Sequence, residues 1–200
     1  MQLMHSFNDA SVKKEGEASF LLTDKSGGYF SLANKKTNYS QYQGWCVFLP
    51  EKWTSYKVIE NIRLESEPEE VENCFYKIRR KTKNTENSNT SNNPKSGSTE
   101  EEFLLTQDAL IYEVKEYEGF VYFDLDFREI HDFDDKGRIY STKKQGDELI
   151  ITYRKYADDS CKKQTAKFHL VVKGVQSYGK TGKWTKKDYS YDKERKTKNR

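Results

Sequence analysis

The chain has 200 residues, of which 34% are hydrophobic and 34% charged, and Lys+Arg 35 against Asp+Glu 32 leaves a net charge of only +3. A mean hydropathy of −1.03 with no long apolar run excludes a spanning helix, and the start Met1-Gln2-Leu3-Met4-His5-Ser6 lacks the basic and apolar regions of a signal peptide. The near-balanced charge does not match the footprint of a dedicated nucleic-acid binder, so the expectation is a cytoplasmic protein with no membrane partner and without nucleic acid as its main partner.

With so few aliphatic residues, any core must lean on the 14 Tyr, 11 Phe and 3 Trp, each of which buries a large area. In chain order, short alternating runs rich in aromatic and β-branched residues read as strands at Phe20–Leu22, Tyr29–Leu32, Trp45–Phe48, Tyr56–Leu64 and Phe75–Ile78. From Lys81 to Glu102 the chain is Asn, Ser, Thr and Lys around Pro94 and Gly97, with almost nothing apolar to bury. This predicts a disordered insertion between two strands of one domain. Ile111–Tyr117 and Phe120–Phe127 alternate on either side of Glu118-Gly119, which predicts a hairpin with Phe123, Leu125 and Phe127 on one face. A second hairpin is expected to follow, with Asp134–Gly137 as its turn before a strand at Arg138–Tyr140; Gly146-Asp147 precedes a third strand at Leu149–Arg154, and Phe168–Val172 is a further strand. Helical periodicity is almost absent. The fold class that follows is all-β, a large antiparallel β-sandwich.

Several motifs invite a chemistry and fail on physical grounds. Gly174–Thr181 matches the phosphate-loop spacing G-x-x-x-x-G-K-[ST], but such a loop needs a following helix whose N-terminus faces the phosphates, and Gly182–Asp188 has no helical repeat. Asp132–Gly137 starts like a calcium loop, yet Lys136 and Lys143 fall where oxygen ligands are required. The three cysteines and three histidines show no metal spacing. Asp124 and Asp126 share one side of a strand, as a glycosidase pair could, but strand alternation alone puts them on a wet face. No catalytic residue, cofactor or metal is nominated. The basic run from Lys180 to Arg200, broken by Trp184, Tyr189 and Tyr191, leaves a weaker alternative, a grip on single-stranded nucleic acid.

The richest constellation lies between Phe20 and Phe48. Gly27-Gly28 allows close backbone approach, Asn38, Gln41 and Gln43 offer amide hydrogen bonds, and Tyr29, Tyr42 and Trp45 offer flat apolar faces. That mixture suits sugars. A glycine bulge with aromatics packed inside a sandwich explains the same residues, and both readings stay open.

These residues also carry a resemblance. Leu21-Leu22-Thr23-Asp24, Gly27-Gly28-Tyr29, and Asn38 followed by Tyr42 and Gly44 are similar to the N-terminal signature of the bacterial and archaeal glycogen debranching enzymes, the amylo-α-1,6-glucosidase family. Asp126–Tyr140 and Trp184–Tyr189 with Tyr191–Arg195 resemble later segments of that family. The resemblance implies a β-supersandwich over residues 1–180 and a basic segment, 181–200, that leads in such enzymes to a catalytic (α/α)6 barrel. The implied function is a non-catalytic domain of a debranching-type glycoside hydrolase in carbohydrate metabolism, with an α-glucan and a catalytic domain, in the same or a separate chain, as partners. A stand-alone carbohydrate-binding module is the alternative. Candidate contacts are Gly28, Tyr29, Asn38, Tyr42, Gln43 and Trp45. Ser40 and Gln41 stand where the family has two arginines and Gln43 where it has histidine, so bidentate donors and a titratable group are missing here.

Overall fold

The computed structural model describes residues 11–15, 18–33, 40–83, 98–115, 117–132, 134–182, 184–185 and 189. Thirteen strands dominate them, every pairing is antiparallel, and the one helical element is the 3-10 turn Pro50–Lys52. The chain divides into two compact units, residues 1–130 with 188–199, and residues 131–187 with Arg200.

The first unit is a sandwich of two five-stranded sheets. Sheet A has the order β1 (Val12–Glu15), β6 (Glu70–Asn73), β7 (Lys77–Lys83), β8 (Ser98–Leu105), β9 (Leu110–Lys115). Sheet B has the order β10 (Tyr122–Glu129), β5 (Thr54–Arg63), β4 (Gly44–Leu49), β3 (Tyr29–Ala33), β2 (Ser19–Thr23). Strand alternation sends Phe20, Leu22, Phe30 and Leu32 inward from sheet B and Ile78 and Phe103 inward from sheet A, and all are buried. Phe103 meets Phe20 and Phe30 at ring-centroid distances of 5.8 and 5.2 Å. Burying each such ring stabilises the unit by about 1.5–3 kcal/mol.

The interior is not wholly apolar. Arg80 and Glu101, opposite one another in the β7–β8 register, are both buried and ion-paired. Tyr112 Oη donates to Glu101 at 2.7 Å and Arg80 Nη2 donates to the Ile62 carbonyl of the facing sheet at 3.2 Å. The outer face of sheet A carries a charge ladder instead. One row runs Lys13, Glu72, Arg79, Glu102, Glu113 and the next Glu15, Glu70, Lys81, Glu100, Lys115.

The second unit is a three-stranded sheet C in the order β11 (Arg138–Gln145), β12 (Glu148–Tyr156), β13 (Gln164–Val172). Leu149, Ile151 and Tyr153 are buried along one face of its central strand. The opposite face has three full cross-strand rows, Ile139–Arg154–Lys167, Ser141–Thr152–His169 and Lys143–Ile150–Val171, and ends in the pair Gln145–Glu148.

Four expectations need correcting. The flanks of the anticipated insertion are strand, because Lys81–Lys83 pairs with Ser98–Glu100 and on to Glu102; their inward residues, Thr82, Thr99 and Glu101, are polar and hide the pattern. Residues 84–97 lie outside the described residues. The anticipated Ile111–Phe127 hairpin does not form, since β9 pairs with β8 and β10 with β5: the chain crosses between sheets there. Register shifts in β10 also break its alternation, leaving Phe123 exposed while Phe127 is buried. Phe75 and Tyr76 are exposed turn residues, Phe75 at φ 65, and the strand begins at Lys77. The Asp134–Gly137 turn likewise joins no hairpin, since β11 pairs with β12.

Candidate functional site

A groove of about 580 Å³ opens on the outer face of sheet B. Its wall comes from the outward residues of β2, namely Ser19, Leu21 and Thr23, which alternate with buried Phe20 and Leu22. Tyr29 and Ser31 of β3 form the floor, and Ser40, Tyr42 and Gln43 approach from the segment before β4.

Two turns position these groups. Asp24 opens the first: one carboxylate oxygen accepts from Ser26 N at 2.7 Å, Ser26 Oγ at 2.7 Å and Gly28 N at 2.9 Å. Burial acts to raise the Asp24 carboxyl, and these hydrogen bonds outweigh it and hold the group below its usual range. Glycine at position 28 leaves room for the Asp24 carboxylate, since a Cβ there would stand 2.3 Å from Asp24 Oδ2 and 3.2 Å from the Cys46 carbonyl and would force that side chain to move. In the second turn Gln43 N donates to the Ser40 carbonyl at 3.0 Å and Tyr42 N to Ser40 Oγ at 3.3 Å. This presents the Tyr42 ring, 45% exposed, at the rim.

Of the six residues expected to contact sugar, Gly28, Tyr29, Tyr42 and Gln43 line this groove. Trp45 does not: it is buried opposite Phe30, on the core side of sheet B. Asn38 lies outside the described residues. Ser40, unremarkable by itself in the sequence, also lines the groove, as do Ser19, Thr23 and Ser31.

Electrostatically the groove is neutral. None of its lining residues carries a formal charge. Burial, reinforced by the neighbouring Cys46 thiol, pushes the Tyr29 phenol far above its usual range, and burial raises the Cys46 thiol too, so both keep their protons. The floor therefore offers hydroxyls and a flat ring but no anion or cation.

Beside the floor, on the same face of sheet B, sequence reasoning missed a buried polar layer. A single cross-strand row runs Thr23, Tyr29, Cys46, Lys57, Arg128 across all five strands of sheet B. Lys57, Glu60 and Arg128 are almost wholly buried. Lys57 pairs with Glu60, Tyr189 Oη donates to Glu60 at 3.0 Å, and Lys57 Nζ lies 5.7 Å from the Tyr189 ring centroid. Arg128 pairs with Asp126 and donates to the Ile130 carbonyl at 3.1 Å. Tyr189 comes from the stretch read as a basic terminal segment, and a lone tyrosine among lysines gives no sign of a buried partner 129 residues away. Asp124 and Asp126 do not converge on a common point: Asp124 faces Arg63 at 3.8 Å and Asp126 faces Arg128.

The rejected motifs resolve as local structure. Asp132 Oδ1 accepts from Asp134 N at 2.9 Å and Asp134 Oδ1 from Lys136 N at 3.1 Å, so carboxylates cap the turn. No helix follows Lys180 among the described residues. Among those residues no three metal-ligating side chains converge, and no helix is long and apolar enough to cross a membrane. No protein-family model, curated protein or solved structure matches the chain.

Proposed function

We propose that this chain is the non-catalytic β-domain of a debranching-type α-glucan hydrolase, and that its sheet B groove contacts the glucan while a catalytic (α/α)6 domain, in the same or a separate chain, supplies the chemistry. The observation that carries this reading is the groove: Tyr29, Tyr42, Gln43 and the Gly27-Gly28 turn, picked from the sequence for sugar chemistry, converge on one open and uncharged surface. A neutral polyol needs a flat apolar face and hydroxyl or amide partners without a desolvated charge. Tyr42 supplies the face, and Ser19, Thr23, Ser31, Ser40 and Gln43 supply the partners. The same neutrality argues against phosphate or nucleic acid in this place. Buried Glu60 and half-buried Asp126 are both engaged by cations, which supports a non-catalytic role.

The test is an NMR titration of the whole chain with maltoheptaose. Amide shifts at Gly28, Tyr42 and Gln43 with a dissociation constant of about 1 mM, weakened about tenfold by Tyr42→Ala, are the expected result. Absence of any shift in these residues overturns the glucan contact, and release of glucose from an α-1,6-branched glucan by this chain overturns the non-catalytic part. A stand-alone carbohydrate-binding module remains a second reading, favoured by one observation: all the lining residues belong to the first unit. Enhancement of a catalytic domain's turnover by the added chain separates the two, since a mere binding module leaves turnover on short soluble glucans unchanged.

A further inference from the structure

The net charge of +3 conceals a strong asymmetry. Between His131 and Lys187, the span of the second unit, there are fourteen Lys and Arg against seven Asp and Glu, whereas the remainder of the chain has twenty-one against twenty-five. Within that unit the open face of sheet C carries one carboxylate, Glu148, which stands at its end opposite Gln145 and pairs with Lys173 at 3.2 Å. Its cations are Lys143, Arg154 and Lys167. The ion pairs of the unit engage Arg138, Lys155 and Lys173 instead, and the one side-chain hydrogen bond of Arg154 goes to the Ser141 hydroxyl at 3.4 Å. Arg154 and Lys167 stand directly opposite one another, an arrangement of like charges that destabilises a sheet. Between the cations lie Ile139, Ile150 and Val171, with Ile139 39% and Val171 46% exposed.

We propose that this face of sheet C is a docking surface for a protein partner whose carboxylates surround an apolar centre. The residue types decide between polyanions. Single-stranded nucleic acid is held by large aromatic rings on which bases stack, and the rows of this face contain no Phe, Tyr or Trp, only aliphatic, hydroxyl, histidine and cationic side chains and the terminal Gln145–Glu148 pair. Aliphatic side chains next to unmatched cations fit instead an interface with a small apolar core and charge pairs at its rim. The partner's carboxylates would relieve the Arg154–Lys167 repulsion, and the excess positive charge of the unit would speed encounter. The proposal is independent of the glucan reading, since it rests on a different sheet in a different unit.

The test uses the whole chain and a short fluorescein-labelled peptide of glutamate, leucine and glycine, followed by anisotropy and by amide shifts. The expected result is binding at low salt that weakens as ionic strength rises, with shifts confined to β11, β12 and β13. Combining Lys143→Glu with Lys167→Glu should weaken the peptide about tenfold or more, while Lys167→Glu by itself leaves the melting temperature unchanged or higher, which separates lost binding from lost folding. No anisotropy change at low salt overturns the proposal, as do shifts elsewhere in the chain or undiminished binding by the double variant. Tighter binding of an oligouridylate than of the peptide overturns it in favour of nucleic acid.

Discussion

The outward faces of sheets A and C use similar side chains and organise them in opposite ways. On sheet A, Arg79 bridges Glu72 and Glu102 at 3.4 and 3.0 Å, Lys77 joins Glu102 at 2.9 Å, Lys115 joins Glu100 at 3.1 Å, and Lys13 lies between Glu70 and Glu72. On sheet C, Arg154 faces Lys167, and the one carboxylate of that face, Glu148, stands at its far end and pairs with Lys173. The ladder has engaged most of its cations with carboxylates of the same face, although its rows end in the like pairs Glu102–Glu113 and Glu15–Glu70. The unbalanced face has not, and the difference teaches that charge composition says little about a surface until register assigns each charge its neighbour. A third arrangement lies inside the sandwich, where the Arg80–Glu101 pair is sealed from water. These three settings give three magnitudes.

The largest effect belongs to the interior. Glu101→Leu leaves the Arg80 guanidinium buried without its counter-ion and removes the acceptor of Tyr112, and it should cost about 3–5 kcal/mol in urea unfolding. Adding Arg80→Leu should recover much of that loss, because an apolar pair of similar volume removes two desolvation penalties together. If the single variant costs no more than an exposed pair does, the interior pair is solvated and the threefold distinction between the settings collapses.

The ladder should respond next. Burial acts to raise Glu72 and Glu102, but Ser11, Lys13 and Arg79 around the first and Lys77 and Arg79 around the second hold both carboxyls below their usual range. A depressed folded value means that the stabilisation is present above the unfolded value of about 4.3 and is lost as pH falls through the folded values. Glu102→Gln should therefore lower stability by about 1 kcal/mol at neutral pH, and the gap between variant and parent should close on acidification below a pH of about 4. A gap that stays constant with pH would show that the ladder acts by packing and not by charge.

What could be read from the sequence follows the same division. Strands whose inward residues are aromatic or aliphatic, such as Phe20–Leu22 and Leu149–Tyr153, announce themselves by alternation. Those whose inward residues are Thr82, Thr99 and Glu101 do not, because a polar residue facing a polar partner on the neighbouring strand looks like loop composition. The groove was legible in Gly28, Tyr29, Tyr42 and Gln43, where turn chemistry and sugar chemistry use the same residue types. Trp45 misled because alternation gives two faces without saying which is the core, and a register shift against β5 between Trp45 and Cys46 follows Gly44, which at φ +111 has no room for a Cβ against the Ile59 carbonyl. The layer of Lys57, Glu60, Arg128 and Tyr189 was invisible, since its members are scattered and meet only through register.

The smallest effect is also the one of unusual sign. Lys167→Glu places a carboxylate directly opposite Arg154 and turns a repulsive cross-strand pair into an attractive one. Most surface substitutions are neutral or mildly destabilising, whereas this one should raise stability by about 0.2–1 kcal/mol, read as a higher melting temperature at low salt and a vanishing difference at high salt. The corresponding change on sheet A, Arg79→Glu, should do the reverse, because Glu72 and Glu102 already flank that position. If Lys167→Glu instead destabilises the chain, Arg154 and Lys167 are held apart or already neutralised, and the contrast between the two faces disappears. If it stabilises while abolishing capture of an acidic peptide, the native lysine is kept at a cost to folding, as a residue reserved for a partner's carboxylate would be.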